Sequence, residues 1–441
     1  MGGTSLSGRG ARRPSAQGEA SEEPARTYFL KTLGCPKNQV DSDKLEGTLA
    51  AEGMSPVGSA SEADLLVINT CAFIDAAREE SIETVLAAAR DKAGDARLVV
   101  TGCLAERFGP ELAAAMPEVD QVAGFGVPLT LGRTNSGRGI PSFDLLNLPR
   151  PLSHSPWAYV KVAEGCDRAC GFCAIPSFRG KQRSRTAESI LGEVESLGAK
   201  EVVLVAQDLA SYGRDLGQAG AIVGLVEAVA ARTRRTRLLY LYPSDLSDRL
   251  VDAICGTGVP YFDLSLQHVS RPLLRRMRRW GEGERFLERI RTIREREPGA
   301  ALRSSFIVGY PGETETDHDR LLRFVEEAQL DWASFFRFSP EEGTYAMGLD
   351  GLVAQSLMDE RLNELSELQD SITLSRRAAL VGSTVEVLVD RPGEGRSYRE
   401  APEIDGVVKL PVALEQGSFA DVVVTAAAGT DLEAEAPRRP G

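Results

Sequence analysis

The chain has 441 residues, 42% of them hydrophobic and 26% charged, with a formal net charge of −13. That length calls for several cores, not one compact domain, and the acidity argues against broad electrostatic capture of nucleic acid or an anionic membrane, leaving only local basic stretches to weigh. No segment approaches the roughly 18 to 20 uncharged apolar residues of a membrane-spanning helix, so no membrane partner is expected and the expected location is cytoplasmic.

Residues 1–26 are rich in Gly, Ser, Ala and Arg, lack the apolar stretch of a secretory signal, and predict a disordered tail. A first domain, expected over 27–140, carries three short apolar runs, 28–35, 64–71 and 97–103, which end at Cys35, Cys71 and Cys103. Between them, Asp41, Ser42 and Asp43 offer caps for a helix around Leu45 and Leu49, and Ile82, Val85, Leu86 and Ala89 fall on one face of another. Strands alternating with helices predict a parallel sheet, whose strand carboxyl ends share the edge where ligands bind. Cysteines more than thirty residues apart would meet there.

A Pro- and Gly-containing stretch, 126–156, predicts a linker. The second domain, expected over 152–382, has strands at 159–162, 201–206, 237–241, 262–266, 302–308 and 332–336 with helical patterns between them. These six units imply a partial (βα)6 barrel with its site at the strand carboxyl ends, and Cys166, Cys170 and Cys173 directly follow the first strand. A helical run over 355–380 leads to 383–430, where Val385, Val387 and Val389 alternate among Gly-rich turns and predict a small antiparallel β-barrel. Residues 431–441 read as a charged tail. The expected class is therefore multidomain α/β with a β-barrel at the carboxyl end.

The seven cysteines of an intracellular chain suggest metal or catalytic thiolates, not disulfides. Cys166, Cys170 and Cys173 put three thiolates on one loop. A four-iron, four-sulfur cluster held by three cysteines keeps one iron open, where S-adenosylmethionine can bind through its amino and carboxylate groups beside a one-electron donor. The competing zinc reading needs four ligands, and the nearest of the three histidines is His154, on the far side of the strand. Cys35, Cys71 and Cys103 read as a second cluster site, or singly as small apolar residues at strand ends. Cys255 reads as structural.

Over about 28–424 the chain resembles the radical S-adenosylmethionine methylthiotransferases. The resemblance lies in Leu33-Gly-Cys-Pro-Lys-Asn-Gln-Val-Asp41, Ala163-Glu-Gly-Cys-Asp-Arg-Ala-Cys-Gly-Phe-Cys-Ala-Ile-Pro-Ser-Phe-Arg-Gly180 and Ala401-Pro-Glu-Ile-Asp-Gly406. Within that family it is most similar to the RimO type. The resemblance implies an amino-terminal methylthiotransferase domain, a radical domain and a TRAM barrel. It also implies S-adenosylmethionine and two 4Fe-4S clusters, one on Cys166, Cys170 and Cys173 and an auxiliary one on Cys35, Cys71 and Cys103 that supplies or carries sulfur. By the same resemblance Phe172 lies against the adenine, Gln207 contacts the methionine part, and Gly309 and Pro311 belong to the fifth-strand motif. The family usually has a proline before Leu266-Gln267-His268, where this chain has Ser265. His268 reads equally as core or as catalytic.

The implied reaction transfers a methylthio group to the β-carbon of an aspartate in small-subunit ribosomal protein twelve, free or in the ribosomal subunit, with an electron donor such as flavodoxin or ferredoxin. That C–H bond is too weakly acidic for a side-chain base near neutral pH, which is why a radical is needed. The alternatives are methylthiolation of an adenosine beside the tRNA anticodon, and a non-catalytic iron–sulfur sensor or scaffold. Two features argue against tRNA as partner: the eight acidic against four basic residues of 383–430, and Pro36-Lys37 after Cys35. Arg275, Arg276, Arg278 and Arg279, and Arg232, Arg234, Arg235 and Arg237, read as solvated helix faces and strand starts. Arg179, Lys181, Arg183 and Arg185 follow the cysteine loop and could neutralise carboxylates of cofactor or substrate.

Overall fold

A computed structural model describes residues 26–127, 144–153 and 155–437. The expected tail at 1–25, the end at 438–441, most of the linker and His154 lie outside the described residues.

The first domain comprises β1 (Thr27–Thr32), α1 (Pro36–Ala51), β2 (Ser55–Pro56), β3 (Leu65–Thr70), α2 (Asp75–Asp91), β4 (Arg97–Gly102), α3 (Cys103–Ala115) and β5 (Gln121–Ala123). Its sheet is parallel throughout, in the order β2-β1-β3-β4-β5. Every residue of β3 is buried, as helices on both faces of a parallel sheet require. The start of α1 differs from the sequence expectation. Cys35 is its N-cap and Pro36 sits in its first turn, where a fixed φ and a missing N–H cost nothing. Asp41 and Ser42 are consequently buried inside the helix, with the Ser42 hydroxyl accepting from Thr32 at 2.6 Å and from Asn69 at 2.9 Å. In α2 the buried stripe is Ser81, Val85 and Ala88, and Ile82 is exposed. Ser81 turns inward because its hydroxyl both donates to the Cys71 carbonyl and accepts from the Cys71 N–H, each at 3.0 Å.

The described part of the linker is fastened to α1. Leu145 and Leu146 are buried, Lys44 donates to the Leu146 carbonyl, and Arg150 pairs with Asp43.

The second domain runs through β6 (Trp157–Lys161), β7 (Ala163–Glu164), α4 (Ile175–Arg179), β8 (Arg183–Ser184), α5 (Ala187–Leu197), β9 (Glu201–Val205), α6 (Ala221–Ala230) and β10 (Arg235–Leu238). It continues with α7 (Asp248–Cys255), β11 (Tyr261–Gln267), α8 (Arg271–Arg276), α9 (Gly283–Arg296), β12 (Ala301–Val308), α10 (Glu315–Ala328), β13 (Trp332–Arg337) and α11 (Gln355–Ala378). Two parallel three-stranded sheets, β6-β9-β10 and β11-β12-β13, meet at one bridge, Leu241 with Leu264. The six large strands thus follow chain order around an open barrel, with β7 and β8 as a short antiparallel pair. Ser265 completes the bridge, its N–H donating to the Leu241 carbonyl at 2.9 Å. A proline there has no N–H to give.

The third domain is a closed barrel of β14 (Thr384–Arg391), β15 (Glu394–Arg396), β16 (Val408–Lys409), β17 (Phe419–Ala428) and β18 (Asp431–Glu435), in the order β14-β15-β16-β18-β17. Two expectations are corrected. The stretch 431–441 contains β18, because Leu432 and Ala434 are needed to fill the barrel core. The barrel is also not wholly antiparallel, since β16 and β18 run parallel.

The barrel is held by the arginines read from sequence as solvated. Arg235 and Arg237 are buried. Arg235 donates to the carbonyls of Arg396 and Glu386, each at 2.9 Å, and Arg237 bonds Glu201 at 2.8 Å and the Tyr398 carbonyl at 3.0 Å. Glu201 also pairs with Arg396 at 3.2 Å. This interface also uses up part of the barrel's acidic surplus: Glu386 pairs with Arg234 and Arg235, Glu400 with Arg377, and Asp405 with Arg303. The excess of acid is therefore partly an internal matter and says less about a partner than its count suggests.

Candidate active site: two cysteine trios at facing sheet edges

The first trio sits where adjacent strands end. Cys35 follows β1, Cys71 follows β3 and Cys103 opens α3 directly after β4. Gly34 has φ +93, and a Cβ there would lie 2.8 Å from the Cβ of Cys71 and 2.9 Å from its Sγ. Only glycine lets the Cys35 loop close onto Cys71. Burial pushes the Cys71 thiol up to about 12, with Cys103 and Cys35 adding to the rise. Burial raises Cys103 as well, against the pull of Arg179. Cys35 behaves oppositely: burial disfavours its thiolate, but Lys37, Arg179 and the backbone N–H groups of Asn38 and Lys37 outweigh burial and lower the thiol below its usual value.

The second trio occupies the loop between β7 and α4. Cys166 N–H donates to the Gly180 carbonyl at 3.1 Å, Gly171 N–H to the Met277 carbonyl at 2.8 Å, and Ala346 N–H to the Gly171 carbonyl at 2.8 Å, so the loop is tied from three sides. Burial raises Cys166 to about 11 and Cys173 to about 12. Arg279 brings a guanidinium nitrogen to 3.2 Å from the Cys170 sulfur.

A buried charge network ties α4, which follows the second trio, to the first. Arg179 closes α4, and its Nη2 donates to Asn38 at 2.7 Å and to the Cys103 sulfur at 3.1 Å, while its Nη1 donates to Glu164 at 2.8 Å. Asp41 pairs with both Arg179 and Lys161, and Lys161 bonds Glu164 at 2.7 Å. Burial opposes the Glu164 carboxylate, but Arg179 and Lys161 hold it ionised, well below the usual carboxylate range. Two further contacts bring the domains edge to edge. Lys37 stands 3.4 Å over the ring of Tyr240, a residue at φ +65 beyond β10. Glu341 receives Arg78 of α2 at 2.5 Å and Arg107 of α3 at 2.7 Å.

The other predicted residues divide. Phe172 is half-buried and meets Tyr310 edge-on at 6.5 Å, which brings the 309–311 segment against the cysteine loop. Gln207 lies just beyond β9; its amide donates to Glu164 at 2.6 Å, and its Oε1 is buried with no partner among the described residues. Gly309, at φ +78, is required by packing, since a Cβ there would lie 2.1 Å from Cγ of Met358 on α11. Pro311 is buried beside it. His268 is fully buried, its Nδ1 accepts from the Ser270 N–H at 3.0 Å, and burial depresses its pKa to about 3, which makes it a core residue. Of the four cations after the loop, only Arg179 reaches a cysteine. Arg183 pairs with Asp144 and Arg185 with Glu193, and Lys181 is exposed. Lys161, Glu164, Asn38, Arg279, Tyr240 and Glu341 were not anticipated; Asn38 and Glu164 stand within the two motif segments and were the legible ones.

Among the described residues no group of three or more His, Cys, Asp or Glu side chains is gathered tightly enough for one metal ion. Three thiols in each trio suit a cluster that keeps one iron open.

Comparison with known proteins agrees with this arrangement. Residues 27–124 match the uncharacterized protein family UPF0004, 160–325 the radical SAM superfamily and 381–436 the TRAM domain. The ribosomal protein uS12 methylthiotransferase RimO of Kineococcus radiotolerans is 40% identical, with 93% of this chain and 97% of that protein covered. The proteins of the same name from Streptomyces coelicolor (39% identical; 93% of this chain and 97% of that one) and Moorella thermoacetica (42%; 86% and 91%) are similarly close. Among solved structures, the radical S-adenosylmethionine methyltransferase TsrM of Kitasatospora setae aligns with TM-score 0.50 at 16% identity, over 79% of this chain and 89% of that one, a likeness of fold alone.

Proposed function

The chain belongs to the ribosomal protein uS12 methylthiotransferase (RimO) family of radical S-adenosylmethionine enzymes, and from that premise we propose that it transfers a methylthio group to the β-carbon of an aspartate of uS12. In this reading Cys166, Cys170 and Cys173 hold the cluster that binds S-adenosylmethionine, and Cys35, Cys71 and Cys103 hold an auxiliary cluster. When bound, these groups supply a carbon-centred oxidant strong enough for an unactivated C–H bond, together with sulfur and methyl.

The observation that supports the reading is the Arg179 network, which ties the helix after the Cys166–Cys173 loop to Cys103 of the other trio. The protein's own part is binding and orientation. The free Gln207 oxygen can accept a hydrogen bond from an amino group bound beside Glu164, and Phe172 offers an aromatic face on the cysteine loop. Arg179 and Arg279, each within hydrogen-bond reach of a cysteine sulfur, can donate to the sulfurs that would hold a cluster. Among the described residues no helix is long and apolar enough to cross a membrane. The reading takes the enzyme to work in the cytoplasm, reduced by a flavodoxin- or ferredoxin-type donor.

The test is anaerobic reconstitution with iron and sulfide, followed by incubation with S-adenosylmethionine, dithionite and uS12. A methylthio mass gain on the uS12 aspartate is expected, and replacing either trio by alanine should remove about four irons per chain. A methylthio gain on tRNA with none on uS12 would overturn the substrate, and a protein that binds clusters without releasing 5'-deoxyadenosine would be a scaffold.

A further inference from the structure

The surface over the Cys166–Cys173 loop is basic, on a chain of net charge −13. Arg271 and Arg275 of α8, Arg278 just beyond it and Arg285 of α9 are all exposed, Arg271 and Arg285 sharing Glu282 at 3.7 and 3.0 Å. Among the described residues Arg275 and Arg278 have no carboxylate partner; Arg278 lies 3.7 Å over the ring of Tyr345. Interleaved with these arginines are large apolar side chains: Trp280 is 43% exposed, Tyr345 44% and Met347 57%. The same two segments grip the cysteine loop, through the Met277 carbonyl and the Ala346 N–H on Gly171. Arg279, between exposed Arg278 and Trp280 in the chain, turns inward to the sulfur of Cys170 at 3.2 Å. Cys170 itself is half-buried.

We propose that this face, with the carboxylate-free Arg275 and Arg278 beside Trp280, Tyr345 and Met347, docks an acidic, low-potential one-electron carrier protein that reduces the cluster on Cys166, Cys170 and Cys173. The proposal rests on the function assigned above. An acidic carrier is repelled by most of an acidic molecule, so an isolated basic face both attracts and orients it. Arginine with tryptophan and tyrosine is also the composition that carries binding energy at protein interfaces. Electron tunnelling falls steeply with distance, and Cys170 under this face is half-buried, not enclosed. The carrier loses one electron, the cluster gains it, and that electron is then spent in breaking one C–S bond of S-adenosylmethionine.

The experiment uses the reconstituted holoenzyme, an Arg275→Glu, Arg278→Glu double variant and a bacterial flavodoxin as probe. Flavodoxin binding is measured by biolayer interferometry at low and high salt, and 5'-deoxyadenosine release is driven in parallel by reduced flavodoxin or by dithionite. The expected result is about tenfold weaker, salt-insensitive flavodoxin binding and about tenfold slower flavodoxin-driven release, with the dithionite-driven rate unchanged. Equal flavodoxin binding by wild type and variant overturns the proposal. So does a dithionite-driven loss of uS12 methylthiolation with flavodoxin binding intact, which gives the face to the substrate, or tighter charge-dependent binding of a single-stranded RNA oligonucleotide than of flavodoxin. A wild type that releases no 5'-deoxyadenosine with dithionite would instead defeat the assigned function, and the binding measurement would still decide the docking face.

Discussion

Arg179 donates from Nη2 to the sulfur of Cys103 across 3.1 Å, and so ties the helix that follows one cysteine trio to the helix that opens at the other. It also donates to Asn38, and it pairs with the carboxylates of Asp41 and Glu164, which it shares with Lys161. Two cations and two anions balance in a space closed to water. Removing one member of such a set leaves a buried charge without compensation, at a cost of about 3–5 kcal/mol. Arg179→Gln is expected to lower the unfolding free energy by that amount in urea titrations. Arg179→Lys, which keeps the charge but not the planar fork, should lose less. Equal stability of the Gln variant and wild type would show that the network is not what holds the edges together.

Ser265→Pro probes the joint between the two halves of the barrel. The Ser265 N–H supplies one of the two hydrogen bonds of the Leu241–Leu264 bridge; the other runs from the Leu241 N–H to the Asp263 carbonyl at 2.9 Å. Proline deletes the donor and leaves a buried carbonyl unpaired, so a loss of about 1–3 kcal/mol is expected. Hydrogen exchange should locate the change, with faster exchange at Leu241 and in its neighbours on β10 and β11. A proline variant as stable as wild type, with unchanged exchange there, would mean that the joint rests on side-chain packing alone.

What could be read from the sequence and what could not separates along distance in the chain. The alternating strands and the cysteines at their ends depend on local patterns, and Cys35, Cys71 and Cys103 lie where that reading put them. Arg235 and Arg237 were misread because their partners are remote: the Glu386 carbonyl lies 151 residues from Arg235, and the Tyr398 carbonyl 161 residues from Arg237. A run of arginines looks the same whether water or a second domain covers it. The start of α1 was misplaced for a different reason, since Asp41 is a good cap by type but is drawn inside by Lys161, which is 120 residues away. The last barrel strand was missed because Asp431–Glu435 is short and half acidic, and only its pairing with β16 and β17 makes it a strand.

His268 supplies a pH signature. Burial lowers its pKa from the ordinary 6.5 to about 3, helped by His318 and Arg361 and opposed by Asp317. The unfolded chain therefore binds a proton below pH 6.5 that the folded chain refuses. The contribution of this residue to stability is complete above 6.5 and is lost as pH falls toward 3, at about 1.4 kcal/mol per pH unit. Unfolding curves of wild type and His268→Gln between pH 7 and 5 should differ in slope by this amount, with the variant flatter. Parallel slopes would mean that the imidazole is protonated in the folded protein and paired with Asp317.

Glu201 tests how the carboxyl-terminal barrel is attached. It is fully buried at the start of β9, bonded to Arg237 at 2.8 Å and to Arg396 of β15 at 3.2 Å. Burial opposes its charge, but Arg237, Arg396 and Arg235 overcome this and hold the pKa at about 2. Glu201→Gln leaves three buried guanidinium groups facing one another with less to neutralise them, and should cost about 3–5 kcal/mol. The loss should appear as faster proteolysis near residue 383 before the radical domain unfolds. Because the penalty comes from unbalanced charge, removing a cation together with the anion should relieve it. The double variant Glu201→Gln, Arg237→Met is expected to recover more than half of the loss, since Arg396 keeps its pairing with Asp390 at 2.6 Å. A double variant no more stable than Glu201→Gln would show that the hydrogen bond from Arg237 to the Tyr398 carbonyl, and not charge balance, is what fastens the barrel.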